Sequence, residues 1–265
     1  MKQLIEFIKS NLNNKFKNLL KFIIDLLFPI NCLNCGKENI WLCKKCFSKL
    51  NVNSDFFCPK CHKKTNFGKY CKNCKQNHEL NGVFPALNYN NKLTKKLIKT
   101  YKYYFAKDIS NILSNYLTIY LQNILNKTYF LLNFNNNKKI KIPDTIKNFK
   151  KTLIIPVPLH KKRKKWRGFN QSNILAINIA NKFNLQINNI DLKRIKYTKP
   201  QAKFTAKKRI KNIINCFKWI GNDLNGKNII LIDDVASTCS TLNECAKILK
   251  QNNANEVWGL VVAKG

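Results

Sequence analysis

An α/β fold, with a mostly parallel sheet flanked by helices and a small cysteine-rich module ahead of it, is what this sequence predicts. Three observations carry the prediction. Apolar strand-like runs at residues 152–157, 228–232 and 257–263 alternate with helical patterns at 172–183 and 242–250, the sign of βα units whose parallel strands are covered on both faces. Eight of the 11 cysteines fall as four Cys-x-x-Cys pairs between Cys32 and Cys74. The chain, 265 residues with 45% hydrophobic content, has room for one main core and one minor appendage.

Residues 1–30 read as an amphipathic helix. Leu4, Ile5, Ile8, Leu12, Phe16, Leu19, Leu20 and Ile23 fall at a spacing that lines one helical face. Lys2, Lys9, Lys15, Lys17 and Lys21 interrupt the segment, so no uncharged run reaches the roughly 20 residues a bilayer crossing needs. The segment is therefore not transmembrane. Such helices most often pack on their own protein, and a membrane surface or a partner is the alternative.

The pairs Cys32/Cys35, Cys43/Cys46, Cys58/Cys61 and Cys71/Cys74 have the gap that lets a tight turn aim two thiolates at one tetrahedral zinc. Eight thiolates suit two closed Cys₄ sites, which makes the metal structural, because a catalytic zinc keeps an open position. Residues 31–80 thus form a zinc-ribbon module. Rich in Lys and Asn, the segment lacks the apolar area to fold alone, and metal binding supplies the missing free energy. Spacing leaves the pairing order open: consecutive pairs can share a metal, or alternate pairs can cross. With eight cysteines available, His62 and His78 are expected to be bystanders. No secretory signal precedes the module, so a reducing cytoplasm fits the cysteine usage.

The 49 basic against 13 acidic residues give a formal net charge of +36, which draws polyanions and repels cations. A phosphate-bearing partner is the natural expectation, although Lys is abundant throughout and much of it need only be solvated. Residues 83–89 read as a strand with Asn90-Asn91 as a turn, followed by one long helical pattern from Leu97 to Ile124. Residues 126–151, Asn- and Lys-rich with weak periodicity, read as a loop or a loosely ordered insertion.

The sharpest local signal follows the run Ile229-Ile230-Leu231-Ile232. Asp233 and Asp234 are adjacent carboxylates at the strand end, and Val235-Ala236-Ser237-Thr238-Cys239-Ser240-Thr241 leads from them into a helix. Acids suit ribose hydroxyls, and amides with hydroxyls at a helix N-terminus suit a phosphate. This stretch resembles the phosphoribosyl-diphosphate (PRPP) motif of type I phosphoribosyltransferases. The resemblance implies that Asp233 and Asp234 hold the ribose, that Ala236, Ser237, Thr238, Cys239, Ser240 and Thr241 cradle the 5′-phosphate, and that magnesium accompanies PRPP. Cys239 departs from the pattern, which usually has Gly there for close backbone approach, and its side chain is expected to strain or narrow the loop.

Ile155-Pro156-Val157-Pro158-Leu159-His160, then Trp166-Arg167-Gly168-Phe169-Asn170-Gln171-Ser172, and later Thr198-Lys199-Pro200-Gln201 with Arg209 and Asn212, resemble the successive blocks of the ComF (ComFC/GntX-type) competence-protein family. That resemblance implies a phosphoribosyltransferase-like domain over residues 81–265 and a cytoplasmic, or membrane-peripheral, role in handling single-stranded DNA during natural transformation. A third reading is an adaptor, in which the zinc module and the amphipathic N-terminus dock a competence helicase or translocation proteins and the phosphate loop is vestigial. Six of the seven residues from Lys161 to Arg167 are basic. Within and just beyond this run, Arg163, Lys164, Lys165, Trp166, Arg167 and Phe169 combine charge for phosphates with rings for base stacking. The same run suits a mobile loop over the pyrophosphate of a bound PRPP, or a merely solvated basic loop with Trp166 packed. Transferase activity is the second functional reading, its acceptor unspecified.

Overall fold

The computed structural model describes residues 29–76, 78–103, 108–133, 141–198 and 212–265. The predicted N-terminal helix lies outside the described residues, as do Lys199, Pro200, Gln201 and Arg209. Among the described residues no helix is long and apolar enough to cross a membrane. The chain divides into two compact units, Met1–Leu50 and Asn51–Gly265, so each Cys₄ group falls in a different unit.

In the smaller unit a turn after Asn31 is closed by the Cys32 and Leu33 amides, which donate to the Lys37 and Trp41 carbonyls at 2.7 and 3.0 Å. A short helix, α1 (Lys44–Phe47), follows and buries Cys46.

The larger unit begins with the second cysteine group and helix α2 (Lys72–Lys75), and continues with β1 (Gly82–Asn88), α3 (Lys92–Tyr103), α4 (Ile109–Asn133) and α5 (Asp144–Lys147). Then come β2 (Leu153–Pro156), α6 (Lys161–Arg167), α7 (Gln171–Phe183), β3 (Gln186–Ile187), β4 (Leu192–Arg194), β5 (Phe217–Trp219), β6 (Ile229–Ala236), α8 (Ser240–Gln251) and β7 (Val257–Lys264). Five strands form one sheet in the order β1-β7-β6-β2-β3, every pairing parallel. Strands β4 and β5 pair antiparallel as a separate ribbon. The expected α/β architecture is therefore present.

Period-two alternation distributes the sheet's side chains between two packed faces. Leu153, Ile155, Ile229, Leu231, Val257 and Val261 join Leu242, Cys245 and Leu249 of α8 in one buried cluster. Phe84 and Trp258 stack at 4.7 Å with an interplanar angle of 10°. Helices α4 and α7 pack on each other and on the sheet, and the α4 stripe Leu113, Leu117 and Leu121 is fully buried. Strands β1, β2, β6 and β7 are mostly apolar because a sheet covered on both faces has no side facing water there.

Three expectations change in detail. The helical pattern from Leu97 to Ile124 is two helices, α3 and α4, on either side of the undescribed residues 104–107. Residues 126–133, expected in a loop, extend α4 to Asn133. Their periodicity is weak because these turns leave the core: Tyr129, Phe130 and Leu132 are all exposed. The basic run expected as a loop is helix α6. The His160 ring caps its start, accepting the Lys162 amide through Nδ1 at 3.3 Å, and Gly168 ends it in the left-handed region at φ 79°, a conformation glycine adopts at little cost.

Candidate functional site

The thiols of Cys32, Cys35, Cys43 and Cys46 lie within 4.8 Å of one another, and so do those of Cys58, Cys61, Cys71 and Cys74. Consecutive pairs therefore share a site, which resolves the pairing that spacing left open. The Sγ atoms of Cys35 and Cys43 are 3.7 Å apart and those of Cys61 and Cys71 3.6 Å apart, close to the ~3.8 Å edge of a tetrahedron with zinc–sulfur bonds of about 2.3 Å. The residues fit two structural zinc ions. Neither histidine joins a cluster: the His78 ring stacks on Tyr70 at 4.2 Å and holds the Cys74 carbonyl at 2.7 Å through Nδ1, and His62 is exposed.

The acid pair, expected at a strand end, lies within the C-terminal half of β6, which continues to Ala236; ligands of parallel sheets bind beyond the carboxyl ends of the strands. Asp233 Oδ1 accepts the Ser172 hydroxyl at 2.8 Å and the Asp234 amide at 2.9 Å. The Lys102 ammonium lies 3.0 Å from Asp234 Oδ1, while Asp234 Oδ2 is buried without a hydrogen-bond partner. Burial, and then the neighbouring Asp234 charge, push the Asp233 carboxyl well above the ordinary carboxylate range. One acid is paired with a cation and the other is held toward its neutral form.

The pair lines a cavity of 510 Å³ whose cations are Lys102, Lys162, Arg163, Arg167 and Arg194. Arg167 is 7% exposed, its guanidinium 5.7 Å from the Tyr103 ring centre and 6.0 Å from that of Trp166. Arg163 and Arg194 both donate to Thr198, to its carbonyl at 3.1 Å and its hydroxyl at 2.6 Å. Five cations around two carboxylates, one with an unpartnered oxygen, form an anion-binding concavity that keeps acids for hydroxyl groups or a cation. A sugar phosphate with magnesium fits this chemistry.

Val235 and Thr241 line the same cavity. Between them Ala236 and Cys239 are buried, Thr238 and Ser240 are half-buried, and Ser237 is exposed. The Thr238 and Ser240 hydroxyls are 2.9 Å apart, and the loop runs into the N-terminus of α8. Cys239 sits at that N-terminus with φ 58°, the left-handed conformation that explains a preference for glycine there. Its side chain is 3% exposed and belongs to the core cluster with Cys58, Tyr70 and Leu242. The expected backbone strain is present, but the side chain lies in the core.

The basic run is divided. Arg163, Trp166 and Arg167 line the cavity. Lys164 and Lys165 are exposed, and Trp166 is 58% exposed with its ring 6.3 Å from Tyr103. Phe169 corrects the expectation of base stacking: it is buried, 5.6 Å from the Tyr101 ring, because the chain turns inward after Gly168 and closes over the core.

A double zinc ribbon domain is matched over residues 23–75. Competence protein F of Haemophilus influenzae is 36% identical over 130 residues, 47% of this chain and 53% of that protein. Competence protein ComFC of Bacillus subtilis is 26% identical over 215 residues, 78% of this chain and 77% of the relative. These similarities support the assignment to the ComF family that the sequence motifs suggest. DNA utilization protein YhgH of Escherichia coli O157:H7 is 34% identical over 109 residues, 40% of this chain and 48% of its own length. The chain thus spans about half the length of the first curated relatives it matches.

In and beside this cavity, sequence reasoning did not single out Lys102, Arg194 or Tyr101. Lys102 looked like one more lysine on an amphipathic helix, and Arg194 lies in a three-residue strand too short to read. Tyr101 donates its hydroxyl to the Gln171 carbonyl at 2.9 Å, tying α3 to the start of α7. Ser172 was quoted only as part of a motif. Its position in the first turn of α7, three residues before the buried Leu175, is the signal that could have marked it as facing the sheet.

Proposed function

We propose that the chain handles DNA during natural transformation, binding single strands in the cytoplasm through the basic surface around α6, on a phosphoribosyltransferase-like domain that retains a sugar-phosphate site. The observation that carries the reading is the concentration of cations on and around that one helix. Charge supplies sequence-independent affinity for phosphates. Similarity to proteins named for competence and DNA utilization supports the same reading.

The test is a titration of fluorescent single-stranded DNA with the zinc-loaded protein at about 50 mM and about 200 mM salt, where phosphate contacts cost orders of magnitude in affinity. The expected result is tight binding at low salt that weakens steeply at high salt. Absent or salt-independent binding sinks the reading.

The acid pair and the α8 loop favour a second reading, a transferase using PRPP and magnesium. Asp233 and Asp234 would face the ribose hydroxyls and the metal, and residues 236–241 the 5′-phosphate; PRPP supplies an activated ribose carbon when bound. Magnesium-dependent PRPP binding by the native protein, lost in Asp233→Asn/Asp234→Asn, tests it. Unchanged affinity in that variant removes the loop as the phosphate site.

A further inference from the structure

Helix α6 is a wall between two concavities. At 100° per residue, positions 162, 163, 166 and 167 share one side and positions 161, 164 and 168 the other. Lys162, Arg163, Trp166 and Arg167 line the cavity of the acid pair. Lys161, Lys164 and Gly168 line a separate groove of 910 Å³ that continues along the segment leading into β4 and past it to Ile195.

Lys193 and Arg194 add cations to the groove, and among the described residues no carboxylate lines it. Lys161, Lys164 and Lys193 are exposed. Two apolar side chains stand beside them in the groove, Ile190 at 63% and Ile195 at 51% exposure. Pro158, Leu159 and Arg194 line both concavities, so the two adjoin where the chain leaves β2.

We infer that this outer groove, and not the acid-pair cavity, is the track for the single strand. The inference rests on the strand-binding reading above and locates it. The occupant is a single-stranded nucleic acid on charge complementarity: a row of cations with no acid among them matches a backbone carrying one phosphate per nucleotide. The exposed isoleucines give unstacked bases an apolar surface. The cavity mixes its five cations with Asp233 and Asp234, which suits a compact phosphate group with its metal more than a run of backbone phosphates. Division of the basic run lets one helix serve a strand on one side and a sugar phosphate on the other.

The experiment compares two surface variants of the full zinc-loaded chain, Lys161→Ala/Lys164→Ala/Lys193→Ala for the groove and Lys162→Ala/Trp166→Ala for the cavity rim. Fluorescent oligonucleotide and PRPP with magnesium are the two probes. The groove variant is expected to lose strand affinity by at least about tenfold at low salt and to reduce the salt slope by about 2, three contacts at roughly 0.7 each. It should bind PRPP as the native protein does. The rim variant should keep its strand affinity within about threefold, and PRPP should not displace the strand. Strand affinity lost in the rim variant and kept in the groove variant puts the strand in the cavity and overturns the inference. Displacement of the strand by polyglutamate as readily as by an unlabelled oligonucleotide of equal charge also overturns it, in favour of an acidic protein partner. No strand binding by the native chain overturns the functional reading itself, a different failure.

Discussion

The Lys102 ammonium lies 3.0 Å from Asp234 Oδ1, with the two side chains 22% and 7% exposed. This ion pair ties the end of α3 to the C-terminal half of β6, and it places a cation where the resemblance expects a ribose and its metal. Removal of Lys102 leaves Asp234 buried beside Asp233 with its charge uncompensated.

Lys102→Met is therefore expected to destabilise the protein by about 1–3 kcal/mol, below the ~3–5 of a fully buried pair because the lysine reaches solvent. Lys102→Met/Asp234→Asn should recover at least half of that loss. Urea denaturation of the three proteins measures the coupling; simple additivity of the two substitutions would mean that the pair is not coupled.

Asp233 sets a pH dependence of opposite sense to that of a salt-bridged acid. Burial, then Asp234, raise its folded pKa to about 7, above the ~4 of an unfolded Asp. Between those values the folded chain holds a proton that the unfolded chain has released, so stability falls as pH rises and the penalty is complete above the folded pKa. Asp233→Asn lacks the penalty while keeping an acceptor for Ser172. Its stability relative to the native protein should increase by about 1–2 kcal/mol between about pH 5.5 and about pH 8.5, a gap that paired denaturation curves measure directly.

Cys239 combines a left-handed backbone with a buried side chain. Cys239→Ala keeps the conformational cost and loses packing, for an expected destabilisation of about 1 kcal/mol, whereas Cys239→Gly also relieves a backbone cost of about 1 kcal/mol and should come out closer to neutral. Because the thiol lies in the core, neither change should alter PRPP affinity by more than about threefold, about 0.6 kcal/mol. Calorimetric titration of both variants checks this, and tighter binding by Cys239→Gly would mean that the side chain does narrow the loop.

The second cysteine group belongs to the larger unit's core. Cys58 and Cys74 share a buried cluster with Tyr70, Cys239 and Leu242, and the Leu80 amide donates to Asn243 Oδ1 of α8 at 3.1 Å. Cys61→Ser should lower the zinc content from two ions per chain to one and lower the larger unit's stability by at least about 2 kcal/mol, since metal binding and folding are linked. Zinc analysis with thermal unfolding reads both; a protein with one zinc and unchanged unfolding would separate the metal from the core.

Much of this molecule was legible because its signals are local. The apolar runs at residues 152–157, 228–232 and 257–263 are β2, the start of β6 and β7, since a strand buried on both faces must be apolar along its length. The Cys-x-x-Cys pairs announced two metal sites because the turn that aims two thiolates is itself local. Where local patterning faded, so did the reading. The end of α4 is helical without a buried stripe, and α6 is too short and too uniformly basic for periodicity to register.

The sequence by itself determined the parallel α/β sheet, the eight zinc ligands and the acid pair on the strand that leads into α8, because each follows from neighbours along the chain. Only the tertiary structure decided that consecutive cysteine pairs share a site, that Lys102 reaches Asp234 from 132 residues away, that Cys239 turns into the core and that α6 presents its cations to two concavities. Those relations depend on which elements pack together and on the direction each side chain takes there, and long-range packing leaves no period or spacing in the sequence to read.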